Sequence, residues 1–153
     1  MLEIEQVKEI KLFQDLTVTE IERILGIARL QDFKTGETII RENETGKELY
    51  VVIDGTVRIS KVIPTGERVT FTLLKRGQFF GELSLLTQKA HSATAEALEN
   101  TRVMVINKTD FEKFVEVAPQ AGFKILRAII CEISELLKQM NNKFIDIMSY
   151  MWH

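Results

Sequence analysis

The chain has 153 residues, a formal charge of −2 and 45% apolar residues, the size and composition of one domain over 1–153 with a substantial core. The balanced charge and the lack of a Lys/Arg run exclude bulk nucleic-acid binding through counterion release. No apolar run reaches the ~18 residues of a membrane span, and the acidic start Met1-Leu2-Glu3-Ile4-Glu5 lacks the form of a signal peptide, so the cytoplasm is the expected compartment. The single cysteine, Cys131, permits no internal disulfide and reads as a small core or seam residue of a helix.

The first 30 residues read as helical. Val7, Ile10, Leu12, Phe13 and Leu16 lead to Thr17, which with Glu20 three residues on forms a capping box. Ile21, Ile24, Leu25, Ala28 and Leu30 continue at helical spacing. From about Gln31 to 108 the period becomes two, and Gly36, Gly46, Gly55, Gly66, Gly77 and Gly81 punctuate it at the rhythm of an all-β sandwich or barrel. Tyr50–Ile53 reads as a strand before an Asp54-Gly55 turn. Val57, Ile59 and Lys61 alternate with Arg58, Ser60 and Val62. Pro64-Thr65-Gly66 turns the chain into a return strand carrying Val69, Phe71 and Leu73, and Arg102–Ile106 makes the last strand.

Residues 109–153 return to helix, with an N-cap expected at Thr109-Asp110 and a break at Pro119. Beyond it, Phe123, Ile130, Leu137, Phe144 and Met151 recur every seven residues, as do Leu126, Ile133, Met140 and Ile147, offset by three. This is the ladder of a coiled-coil seam. A helix over 123–151 is roughly 43 Å long. One face, widened by Ile129 and Leu136, is expected to pack on the β-region, and the ladder on a second copy, giving a homodimer.

The stretch Phe80-Gly81-Glu82-Leu83-Ser84-Leu85-Leu86-Thr87-Gln88-Lys89-Ala90-His91-Ser92-Ala93 resembles the phosphate-binding cassette of the cyclic nucleotide-binding domain family. The segments Phe33–Glu42, Glu48–Val57 and Leu74–Leu83 extend the resemblance over nearly the whole chain. It implies an α+β fold: an eight-stranded antiparallel β-roll of jelly-roll type, with N-terminal helices and a long C-terminal helix. It also implies cAMP or cGMP as ligand, held by Phe80, Gly81, Glu82, Leu83, Ser84, His91 and Ser92, with no metal. By resemblance Glu82 accepts from the ribose 2′-hydroxyl, the N–H groups of Leu83 and Ser84 face the phosphate, and Ser92 adds a hydroxyl or N–H. A helix start suits that anion, and Gly81 admits a close backbone approach.

His91 stands where the family places a phosphate-gripping arginine. Losing a bidentate, charge-assisted contact costs on the order of 2–4 kcal/mol, roughly 30- to 1000-fold in affinity. The expectation is weak binding that tightens as pH falls from about 8 to 6. On the terminal helix, where catabolite-activator relatives read the base, Leu136 and Leu137 replace the expected polar pair, leaving Gln139, Asn141 or Asn142 as amides and Phe144, Tyr150 and Trp152 as late aromatics.

Two functions stay open: a dimeric ligand-binding sensor acting on an unknown protein partner, and a module that keeps fold and seam but has lost the ligand. A metal-dependent enzyme needs clustered ligands, and the chain has only His91 and His153. After the long helix no room remains for a DNA-binding unit, so direct nucleic-acid binding is not expected.

Overall fold

The computed structural model describes residues 1–152; His153 lies outside them. Helix α1 (Ile4–Lys8), a 3-10 turn (Lys11–Phe13) and α2 (Val18–Ile27) precede the strands. These are β1 (Ala28–Phe33), β2 (Thr38–Ile40), β3 (Glu48–Asp54), β4 (Val57–Val62), β5 (Arg68–Leu74) and β6 (Phe79–Phe80), then, after the short helix α3 (Leu83–Leu86), β7 (Thr94–Ala97) and β8 (Thr101–Asn107). Helices α4 (Lys108–Val117) and α5 (Pro119–Met151) follow.

The strands form two four-stranded sheets, β1-β8-β3-β6 and β2-β7-β4-β5, in which every pairing is antiparallel. The eight-stranded antiparallel roll with flanking helices and a long terminal helix is thus the observed architecture. Strand β3 serves two cores because its side chains alternate. Leu49 and Val51 join Met104 and Ile106 under the helices, with Ile21, Phe111, Ile125 and Ile129. Tyr50 and Val52 point into the roll with Ile40, Val57, Phe80 and Ala95.

The Thr17 capping box is present: Thr17 Oγ1 accepts from the Glu20 N–H at 3.2 Å, and Glu20 Oε1 accepts from the Thr17 N–H at 2.9 Å. Glu20 also takes Lys124 Nζ at 2.7 Å, fastening α2 to α5. Burial pushes the Glu20 carboxyl up, but the bonds from Lys124 and Thr17 outweigh it and hold the group below the ordinary value.

Two local expectations are corrected. Ala28 and Leu30 are strand, because β1 pairs with β8 from Ala28↔Ile106 onward and this ladder overrides their helical spacing. The cap of α4 is Asn107, whose side chain accepts from the Thr109 N–H at 2.8 Å, two residues before the expected site. In β4, Val57 and Ile59 both face the roll core, in keeping with the alternation; the register shift between Ile59 and Ser60 leaves the extra residue, Phe71, in β5, and Ser60 is fully buried, accepting from Arg68 Nη1 at 2.8 Å. Of the two places read for Cys131, the core is excluded, since the residue is exposed on α5.

Helix α5 begins with Pro119 at its first turn, where the missing N–H leaves no bond unmade. Ala121, Gly122, Ile125 and Ile129 are its buried residues. Gly122 has no room for a Cβ beside the Val115 side chain, so α4 and α5 meet closely there. Past Ile129 the helix leaves the core. Phe123, Ile130, Leu137, Phe144 and Met151 are each more than half exposed, as are Met140 and Ile147, and Leu136 is exposed with them. Among the described residues, no helix is long and apolar enough to cross a membrane.

Candidate functional site

Strand β6 delivers the cassette. Phe80 is buried, its ring stacked on Tyr50 with centroids 5.0 Å apart and planes 8° from parallel. It anchors the segment from inside the roll. Gly81 follows at φ +76°, and a Cβ there would lie 2.8 Å from the Glu48 carbonyl oxygen and 3.3 Å from Tyr50 Cδ2. Only glycine turns this corner without strain. The Tyr50 hydroxyl donates to Glu48 Oε2 at 2.8 Å, and Arg29 Nη2 reaches Glu48 Oε1 at 2.7 Å, tying the wall behind Gly81 to β1.

Glu82 precedes the first turn of α3. Burial pushes its carboxyl above the ordinary carboxylate value, opposed only by a bond from its own backbone N–H. Among the described residues it takes part in no ion pair. It faces a cleft of about 410 Å³ between the roll and α5, whose walls include Thr72, Leu74 and Phe79 on one side and Glu132, Glu135, Leu136 and Gln139 on the other. The volume falls within the range of small-molecule sites. The cations lining it are already paired: Lys11 with Glu132 at 3.8 Å and Arg76 with Glu9 at 3.7 Å.

The α3 amides are divided. Ser84 N–H donates to the Gly81 carbonyl at 3.0 Å, so it is not free for an anion as expected from sequence. The Leu83 N–H meets no backbone carbonyl among the described residues. The Leu83 side chain is exposed, the Ser84 side chain buried. His91 lies against the loop between β2 and β3: its N–H donates to the Glu44 carbonyl at 2.9 Å, and its carbonyl accepts from the Asn43 N–H at 2.8 Å. A Cβ on Gly46 would collide with the imidazole and lie 2.9 Å from Ser84 Oγ. Burial holds the imidazole below its ordinary value, with the Glu44 carboxylate pulling the other way. Ser92 is exposed beside it.

The structure thus gathers Gly81, Glu82, Ser84 and His91 around α3, and leaves Phe80 in the core. Of the three amides weighed on the terminal helix, Gln139 lines the cleft; Asn141 and Asn142 do not. Sequence reasoning missed Gly46, read only as a turn, and Glu135, whose place in the wall depends on the register of α5 over the roll. Among the described residues, no cluster of three or more His, Cys, Asp and Glu is placed to hold a metal ion.

Comparison with known proteins agrees with this geometry. The profile of the cyclic nucleotide-binding domain matches residues 30–117, more than half of the chain. The chain is 30% identical over 124 residues to the cyclic AMP receptor protein of Thermus thermophilus, covering 81% of this chain and 57% of that protein. It is 24% identical over 136 residues to a CRP-like cAMP-activated global transcriptional regulator of Mycobacterium tuberculosis, covering 89% of this chain and 59% of that one. The chain therefore spans under two thirds of the length of these curated relatives. Its fold superposes on a cyclic nucleotide-binding domain from Methylobacillus flagellatus with a TM-score of 0.84 at 19% identity, covering 92% of this chain and 81% of the other. The chain belongs to the cyclic nucleotide-binding domain family.

Proposed function

We propose that the protein is a regulatory domain that binds a cyclic nucleotide between the roll and α5 and acts as a homodimer through the exposed ladder of α5. The observation that carries the reading is Glu82: a half-buried carboxylate that joins no ion pair among the described residues, lining a cleft of about 410 Å³. A carboxylate partly withdrawn from water and left unpaired carries a desolvation cost that a ligand donor relieves, and a ribose 2′-hydroxyl is such a donor. The ribose at Glu82 directs the phosphate toward α3 and His91 and the base toward Gln139 and Glu135. Binding, not chemistry, is the activity, and its signal passes to a protein partner through α5.

The competing reading, a module kept for dimerisation alone, has one observation in its favour: the cations of the cleft are engaged with glutamates. Titration calorimetry of the chain with cAMP and with cGMP decides between them. Saturable binding that Glu82→Ala weakens at least about tenfold supports the sensor; no heat with either nucleotide, for wild type and His91→Arg alike, rules it out. Sedimentation equilibrium tests the dimer: Leu137→Asp, placing a charge in the seam, is expected to give a monomer, and an already monomeric wild type refutes the interface.

A further inference from the structure

We propose that the outer face of the sheet β2-β7-β4-β5 carries a second binding site, for a small molecule that bears one carboxylate, with Arg68 as its anchor. The site lies across the sheet from the roll interior and stands independently of the cyclic-nucleotide reading.

The alternation of β7 places it. Ala95 packs inside the roll with Ile40 and Val57, and Ala97 is fully buried, so Thr94 and Glu96 point the other way. With Thr38 of β2, Val62 of β4, Arg68 of β5 and the loop 41–44, they line a cavity of about 490 Å³. That volume suits a small molecule.

Charge decides what it takes. The carboxylates of the lining each have a cation already: Glu42 has Lys61 at 3.8 Å, Glu44 has Arg41 at 4.0 Å, and Glu96 has Arg58. Arg68 lines the same cavity and joins no ion pair among the described residues. Its hydrogen bond runs from Nη1 to Ser60 Oγ at 2.8 Å, and Ser60 is fully buried. The guanidinium is thus pinned to the sheet by one N–H, and the others meet no acceptor among the described residues. Two hydroxyls of the lining are donors in reserve. Thr94 Oγ1 accepts from the Glu42 N–H at 3.1 Å, which leaves its own proton to donate, and the Thr38 hydroxyl makes no hydrogen bond among the described residues. Arg41, Arg58, Lys61 and Arg68 against Glu42, Glu44 and Glu96 leave one positive charge in excess. One carboxylate balances that excess, whereas a phosphate dianion overshoots it among the glutamates. A guanidinium fork also matches the two coplanar oxygens of a carboxylate. Val62, exposed in the same cavity, offers an apolar contact to the rest of the molecule.

The loop wall is preformed and shared with the cassette. Asn43 holds a φ of +70°, a region Asn tolerates, while its N–H donates to the His91 carbonyl at 2.8 Å. The Glu44 N–H donates to the Arg41 carbonyl at 3.2 Å, and the Glu44 carbonyl accepts from the His91 N–H at 2.9 Å. Residues whose side chains line the cavity therefore grip the cassette by their backbone, and an occupant is felt at His91 without entering the cleft.

Nuclear magnetic resonance titration of the isotope-labelled chain with butyrate, and with inorganic phosphate at matched ionic strength, tests the site. Butyrate is expected to give saturable shifts at the Arg68 Nε–H, the amides of 42–44 and 94–96 and the His91 amide, and none at Glu82 or along α5. Phosphate is expected to bind at least about tenfold more weakly. Arg68→Lys keeps the charge without the fork and should weaken butyrate about tenfold; Arg68→Gln should abolish saturation. Shifts that never saturate, or an Arg68→Gln chain that titrates like the wild type, overturn the site. Phosphate binding as tightly as butyrate overturns the carboxylate assignment. If Arg68→Gln does not fold, the wild-type Arg68 Nε–H resonance decides: no downfield shift on adding butyrate overturns the proposal.

Discussion

Gly81→Ala separates two costs that the corner before α3 imposes. Its φ of +76° is a region in which an L side chain costs about 1–2 kcal/mol. The added Cβ also lies 2.8 Å from the Glu48 carbonyl oxygen, with Tyr50 Cδ2 at 3.3 Å and Ile40 Cδ1 at 3.4 Å. The carbonyl belongs to β3, paired with β8 at Glu48↔Asn107, and cannot swing aside as a side-chain end can. Overpacking of this kind adds about 1–3 kcal/mol. The total is about 2–5 kcal/mol, or roughly 30- to 4000-fold in the unfolding equilibrium. Gly66→Ala is the matched control, since Gly66 has φ +90° and nothing within 4 Å of the added Cβ. It carries the conformational cost alone. Urea unfolding followed by circular dichroism gives both losses, and their difference isolates the contact with β3. Equal losses for the two variants, or a wild-type midpoint for Gly81→Ala, refute the account of the corner.

Thr17→Ala removes the hydroxyl half of the capping box, which accepts from the Glu20 N–H, and leaves the backbone half; it should cost about 1 kcal/mol, a fall of about 2–4 °C in the thermal midpoint. A midpoint unchanged by calorimetric scan would mean that the Thr17 hydroxyl contributes nothing to the start of α2. Glu82→Gln tests the linkage of the half-buried carboxyl. Its folded pKa is raised, so its contribution to stability is present below the ordinary carboxylate value and lost as pH rises through the folded pKa. The unliganded variant should therefore exceed the wild type in stability near pH 7, with the gap closing as pH falls toward about 4, while its nucleotide affinity drops. Parallel pH profiles of the urea midpoints for the two proteins would count against an unpaired, partly desolvated charge at Glu82.

Local chemistry explains which elements were legible in the sequence. The Thr17–Glu20 box, the turns at Gly36, Gly55, Gly66, Gly77 and Gly81 and the long terminal helix are each set by residues close together in the chain, and each is observed. The misreadings arise where distant partners decide. Leu30 is strand because Met104 pairs with it, not because of its neighbours. The cap at Asn107 was displaced because an Asn side chain bonding two residues ahead competes with the Thr-Asp pair. At the site, the corner at Gly81 and the approach of α3 were readable from a glycine and a carboxylate in sequence. The pairing of Gly46 with His91 was not, since 45 residues separate them and only the fold brings them into contact.

The length of α5 gives the molecule a mechanical gain. Ile129 is its last buried residue, and 22 residues run from there to Met151, about 33 Å of helix beyond the fulcrum. A tilt of about 10° at Ile129 therefore carries the far end by about 6 Å, given that lever arm. The walls of the cleft, at Glu132 to Gln139, lie just beyond the pivot, where the same tilt moves them by about 1–3 Å. A ligand that shifts this wall by little more than an atomic radius is read at the helix tip as a displacement of more than one helical turn.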